Sequence, residues 1–85
     1  MYKIIKIANK DGTERTEPIY FKRTGCIGDV FHLQVGNCLI FTYLYDKDGN
    51  IKTGYLRTSI VEAIGECNGD IVVYTANSIY TLRKI

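Results

Sequence analysis

From Cys38 onward, apolar runs alternate with tight-turn signals, and this rhythm constrains the fold more than any other feature of the chain. Cys38-Leu39-Ile40-Phe41-Thr42-Tyr43-Leu44-Tyr45 leads into Asp46-Lys47-Asp48-Gly49-Asn50, and Ile51 to Thr58 returns. Ile71 to Ala76 leads into Asn77-Ser78, and Ile79 to Leu82 returns. β-Branched and aromatic runs bounded by Asp, Asn and Gly are hairpin signals. The expectation is an all-β domain, a small barrel or roll of about six antiparallel strands with at most one short helical turn.

The first half carries the same pattern less clearly. Tyr2 to Ala8 alternates imperfectly and reads as a strand. Lys10-Asp11-Gly12-Thr13 is a turn, since Asp-Gly supplies the positive φ of a tight hairpin. Arg15 to Lys22 reads as the returning strand, at an edge or interrupted at Pro18, which cannot donate a ladder hydrogen bond. Arg23 to Gly28 reads as a loop. Val30 to Val35 reads as a strand with Phe31, Leu33 and Val35 on one face and His32 and Gln34 on the other, ending at a Gly36-Asn37 turn.

Registers follow from the turns. The Asp48-Gly49 turn pairs Lys47 with Asn50 and Phe41 with Leu56. Leu39, Phe41 and Leu56 then share the core face, and Gly54 lies opposite Tyr43. Ile40, Thr42, Tyr55 and Arg57 share the other face; a one-residue slip would instead group Tyr43, Tyr55 and Arg57. Thr58-Ser59 is a bend, and Ile60 to Ile64 suits either a continued strand or one helical turn. Asn68-Gly69-Asp70 is a turn. An Asn77-Ser78 turn of two residues pairs Val73 with Leu82 and Thr75 with Tyr80, giving a core face of Ile71, Val73, Tyr80 and Leu82. Lys10-Asp11-Gly12 and Lys47-Asp48-Gly49 echo each other, more simply as repeated turn chemistry than as a duplication.

Composition agrees with one β domain. A hydrophobic content of 46% suits a packed core rather than disorder. Eighty-five residues are the size of one domain, and so short a chain buries a modest share of its surface, which dimerisation would increase. Eleven Lys and Arg against nine Asp and Glu leave a net charge of +2. The charges are dispersed, so the composition neither calls for a nucleic-acid partner nor excludes one. No run approaches a membrane span, and the start, Met1-Tyr2-Lys3-Ile4-Ile5-Lys6, lacks the apolar core of a signal peptide, so no membrane partner is expected. Cys26, Cys38 and Cys67 are odd in number and widely spaced, which fits a reducing cytoplasm better than a disulfide framework.

About six short strands with hairpin turns in 85 residues resemble a small SH3-like barrel, and Leu56-Arg57-Thr58-Ser59-Ile60-Val61 followed by Val73-Tyr74-Thr75-Ala76-Asn77-Ser78-Ile79-Tyr80-Thr81-Leu82 resembles the tail of short bacterial or phage barrel proteins. The motif consists of turn and core residues, so it implies a fold more than an activity. A phage origin would imply a host protein as the partner and inhibition as the outcome. The absence of Trp argues against proline-rich peptide recognition of the eukaryotic SH3 type.

No catalytic or metal-binding signature stands out, and no cofactor is expected. His32, the single histidine, has no His or Cys cluster around it in sequence. A pairing of His32 with Cys26 or Cys38 lacks an orienting motif. Lys22-Arg23-Thr24-Gly25-Cys26-Ile27-Gly28 is the best anion-binding candidate, with two basic side chains beside a loop rich in backbone N–H. Its simpler reading is a solvated connection. Seven tyrosines are the most unusual feature of composition, and Tyr55 with Arg57 on an outer face makes a plausible patch.

These features point to a non-enzymatic binding module that acts through protein–protein interaction and self-associates, with Tyr55 and Arg57 as one contact. The alternative is a homo-oligomer that sequesters a nucleotide-like anionic ligand, with Lys22, Arg23 and Arg57 on phosphate and Gly25 in the adjoining loop. Single-stranded nucleic-acid binding is a weaker third reading.

Overall fold

The computed structural model describes residues Met1–Ile85. Six strands run in chain order around a closed antiparallel barrel: β1 Tyr2–Ala8, β2 Ile27–Phe31, β3 Cys38–Tyr45, β4 Tyr55–Cys67, β5 Asp70–Thr75 and β6 Ile79–Lys84. One short helix, α1 Pro18–Arg23, lies between β1 and β2. The all-β expectation with a single helical turn therefore holds, although the turn is not near Ile60.

The imperfect alternation of β1 has a physical cause. Ile4 faces Leu82 and Lys6 faces Thr81, so one extra residue is accommodated as a bulge. That bulge sends both Ile4 and Ile7 into the core, where each is fully buried.

Two first-half expectations are corrected. Arg15 to Lys22 is not a returning strand: pairing with β1 stops at Ala8–Glu14, and the Arg15 amide donates to the Ile7 carbonyl. Pro18 then opens α1, where its fixed φ suits a first helical turn and its missing N–H costs nothing. The second correction is to Val30–Val35: the strand occupies Ile27–Phe31 instead, and His32 leaves it at φ 56°. Phe31 and Val35 are exposed. Gly28 explains the shift, because a Cβ there would run into the Thr42 carbonyl and the Phe41 ring, so β2 packs close to β3 only at glycine.

The β3–β4 pairing follows the turn-based reading in its body, with Phe41 opposite Leu56. At the tip the ladder is offset, with Tyr45 bridging Ile51. β4 continues as strand through Thr58 and Ser59, but it bulges there and exchanges partners, pairing with β3 up to Ile60 and with β5 from Val61. Thr58 is buried, and its hydroxyl accepts the Leu39 N–H at 3.0 Å and donates to the Ser59 carbonyl at 2.7 Å. A side-chain oxygen thus replaces the ladder acceptor that the bulge removes.

The last hairpin is shifted from expectation. Val73 faces Tyr80 and Ile71 faces Leu82, because the connection is held by Thr75 and Ser78 rather than by a turn of two residues. The core face survives, since a slip of two residues preserves strand polarity. Ile4, Ile7, Leu39, Phe41, Val61, Val73 and Leu82 fill the barrel together with Cys26, Leu56, Tyr43 and Tyr80.

Candidate functional site

The outward face of β2–β3–β4 is built by the alternation that builds the core. Across it, Phe31, Ile40 and Arg57 form one row, and Asp29, Thr42 and Tyr55 the next. Tyr55 is 66% exposed and Phe31 48%. Beyond them Cys38 lies opposite Ile60, itself largely exposed.

This face is concave. Ile40, Thr42, Tyr55 and Arg57 form the floor of an open hollow of about 550 Å³. Cys38 and, from the β2–β3 loop, His32 and Asn37 complete its lining. The left-handed backbone at His32 ends β2 and starts this loop. Main-chain bonds from Gly36 to the Val61 carbonyl and from Val61 to the Asn37 carbonyl hold the loop against β4. Arg57 belongs to none of the three ion pairs, which join the Met1 amine to Asp29, Lys10 to Glu62 and Arg83 to Asp70. Its guanidinium is exposed and carries five N–H donors.

Lys22, Arg23 and Gly25 lie elsewhere. Lys22 lines a smaller hollow of about 240 Å³ with Lys47, Lys52, Asp46 and Asp48. The Asp46 carboxylate already accepts the Asp48 and Asn50 amides at 2.9 and 3.0 Å, and the Asn50 bond holds its carboxyl below the usual range. Arg23 stacks on the Tyr20 ring at 5.5 Å, with Arg15 on the same ring at 4.6 Å. The loop amides are satisfied internally: Thr24 N–H bonds the Tyr20 carbonyl, Gly25 N–H the Ile4 carbonyl and Cys26 N–H the Arg23 carbonyl. An anion there would meet side chains, not a cradle of open N–H groups. Gly25 is needed for packing, with φ +91° and a Cβ that would lie 2.8 Å from that of Lys47.

The tyrosines divide by face. Tyr43 and Tyr80 are buried, and burial pushes both phenols above their ordinary value. Tyr45, Tyr55 and Tyr74 are exposed. Cys26 is in the core, its thiol raised by burial and its Sγ–H directed to the Lys22 carbonyl at 3.3 Å, so it cannot meet His32. Cys38 shares the hollow with His32, but no third side chain orients the imidazole, which makes no hydrogen bond to protein. Sequence reasoning found the floor of the hollow and missed its wall. The Gly36-Asn37 turn was the available signal, because it folds the chain after β2 back towards β4.

Comparison with family models, curated proteins and solved structures finds no match. No helix is long and apolar enough to cross a membrane. Fold and face together define a small β-barrel domain with an exposed aromatic and cationic concavity.

Proposed function

We propose that this protein is a non-enzymatic binding module of the SH3-like barrel type whose contact surface for a partner protein is the outer face of β2–β3–β4. The carrying observation is the association of Phe31, Ile40 and Tyr55 with an unpaired Arg57 on one concave sheet face. Aromatic residues and Arg are the types enriched where protein interfaces bind most strongly. Such a face suits a partner that presents an apolar side chain beside a carboxylate, which Arg57 would take in bidentate fashion.

A photo-crosslinking residue placed at Tyr55 and, as a control, at Asp11 tests this in the producing cell. A discrete adduct from position 55, absent from position 11 and lost with Arg57→Ala, is the expected result. Equal labelling at both positions removes the reading.

A second reading uses the same hollow for a nucleotide-like anion. The observation in its favour is the convergence of Tyr55, Arg57 and His32 on a space of about 550 Å³, within the size range of small-ligand sites. Arg57 would hold phosphate and Tyr55 would stack the base. A native mass spectrum should then show added mass of a few hundred daltons per site, roughly one nucleotide, that Arg57→Ala abolishes. Nucleic-acid binding predicts instead an affinity that falls steeply with salt.

A further inference from the structure

The second half of β4 is an open edge. Pairing of β4 with β3 ends at Cys38–Ile60, and the amide and carbonyl of Val61 are taken by Asn37 and Gly36 of the β2–β3 loop. Beyond Val61 the strand has β5 alone as a neighbour. Cys67 pairs with Asp70 across a turn in which Asn68 and Gly69 both have positive φ, the geometry of a type I′ hairpin. The residues flanking such a turn exchange both main-chain bonds, and bonding alternates from there. Cys67, Gly65 and Ala63 therefore bond to β5, whereas Ile64 and Glu66 turn their N–H and C=O groups outward. Neither has a partner in the ladder, and Ile64 is 41% exposed.

Gly65 supplies an independent observation. It lies in mid-strand, where glycine weakens a sheet. Its backbone is not left-handed, and a Cβ there would meet only the Tyr74 ring at an ordinary 3.8 Å. Nothing within the chain requires glycine at this place. Glycine at an open edge suits the close approach of another backbone.

We infer that the Glu62–Cys67 edge of β4 pairs antiparallel with the same edge of a second copy of this chain, about a two-fold axis through Gly65. Ile64 then exchanges both main-chain bonds with the partner's Glu66, and Glu66 with the partner's Ile64. Gly65 faces the partner's Gly65 in the closer, non-hydrogen-bonded type of pair, where Cα atoms approach to about 4.5 Å. No like charges are opposed, because Glu66 lies beside the partner's Ile64 and Glu62 beside the partner's Asn68. The outer apolar residues Val72, Tyr74 and Ile79 of the two copies become parts of one continuous sheet face.

This surface is separate from the Tyr55–Arg57 face, so the two proposals can fail independently. The register puts Cys67 beside the partner's Ala63 in a non-hydrogen-bonded pair, a separation a disulfide can span. Ala63→Cys, oxidised with copper phenanthroline, should give a covalent dimer at micromolar protein, and adding Cys67→Ser should abolish it. Of the main-chain groups Ile64→Pro removes only an outward N–H, so the β4–β5 ladder and with it the circular dichroism should stay those of the wild type. Sedimentation should show self-association weakened about tenfold or more, while Ile51→Ala, at a solvent-facing position on the β3–β4 connection, sediments as the wild type. Wild-type protein that sediments as a monomer, or a covalent dimer that survives Cys67→Ser, overturns the inference. So does dimerisation lost with Tyr55→Ala and kept with Ile64→Pro.

Discussion

The two faces of the β3–β4 ribbon carry the same kinds of residue to opposite ends. Inward, Leu39, Phe41 and Leu56 are buried together with Thr58, whose hydroxyl is fully engaged. Outward, Ile40, Thr42, Tyr55 and Arg57 line the open hollow, and Arg57 has no ion-pair partner. Aromatic content does not separate the faces, since Phe41 and Tyr43 line one while Tyr55 lies on the other. What separates them is satisfaction: the inner face has packed neighbours and completed hydrogen bonds, and the outer face leaves Tyr55 exposed and Arg57 without an ion-pair partner. Stability should therefore reside on one side of the ribbon and recognition on the other.

The largest expected effect is from Phe41→Ala. Phe41 is fully buried and makes an edge-on contact with Tyr43 at 5.7 Å between ring centroids. Its loss should cost about 3–5 kcal/mol in urea unfolding, enough to unfold much of so small a domain. An effect below about 1 kcal/mol would mean that the inner face is not the stabilising one. Thr58→Val comes next. It keeps the side-chain shape but strands the buried Leu39 N–H, for an expected loss of about 1–3 kcal/mol. Thr58→Ser should recover most of it, which a simple packing role would not predict.

Alkaline pH should weaken the same side. Burial raises the Tyr43 and Tyr80 phenols above 10.0 and the Cys26 thiol above 9.0. Each neutral group favours the folded state, so its contribution is complete below its ordinary value and lost as pH climbs through the raised one. Thermal midpoints should fall above about pH 9, and Cys26→Ala should remove the earliest part of that fall. A flat profile to pH 11, roughly a unit beyond the ordinary tyrosine value, would contradict this. The smallest expected change is on the outer face. Tyr55→Ala and Arg57→Ala should each shift unfolding by no more than about 0.5 kcal/mol while abolishing partner or ligand capture. A large loss of stability from either would erase the distinction between the faces.

A second pair of regions explains what was legible in the sequence. Lys10-Asp11-Gly12 and Lys47-Asp48-Gly49 look alike, yet their turns are tied differently. In the first, the Asp11 carboxylate accepts the Thr13 amide and hydroxyl. In the second, it is Asp46, before the Lys, that accepts the Asp48 and Asn50 amides. Only the second leads into a full returning strand, because β-branched and aromatic residues follow it, whereas Pro18 follows the first and opens α1.

Residue order alone carries the strands whose alternation is strong, the inner and outer faces of β3 and β4, and the Phe41–Leu56 register. It also carries the core polarity of β5 and β6 despite a two-residue error in register, because strand faces repeat with period two. It placed Ile40, Thr42, Tyr55 and Arg57 together for the same reason. The rest depends on the assembled barrel. The bulges that bend β1 and β4 depend on which partner strand lies alongside. α1 is too short for a helical period to show. His32 joins the Tyr55–Arg57 hollow through main-chain bonds that hold the β2–β3 loop on Val61. The open edge after Val61 exists because β3 begins at Cys38 and leaves the end of β4 uncovered. Alternation is a local property that a chain carries in its own order, whereas closure, bending and uncovered edges arise only when distant strands compete for the same hydrogen bonds.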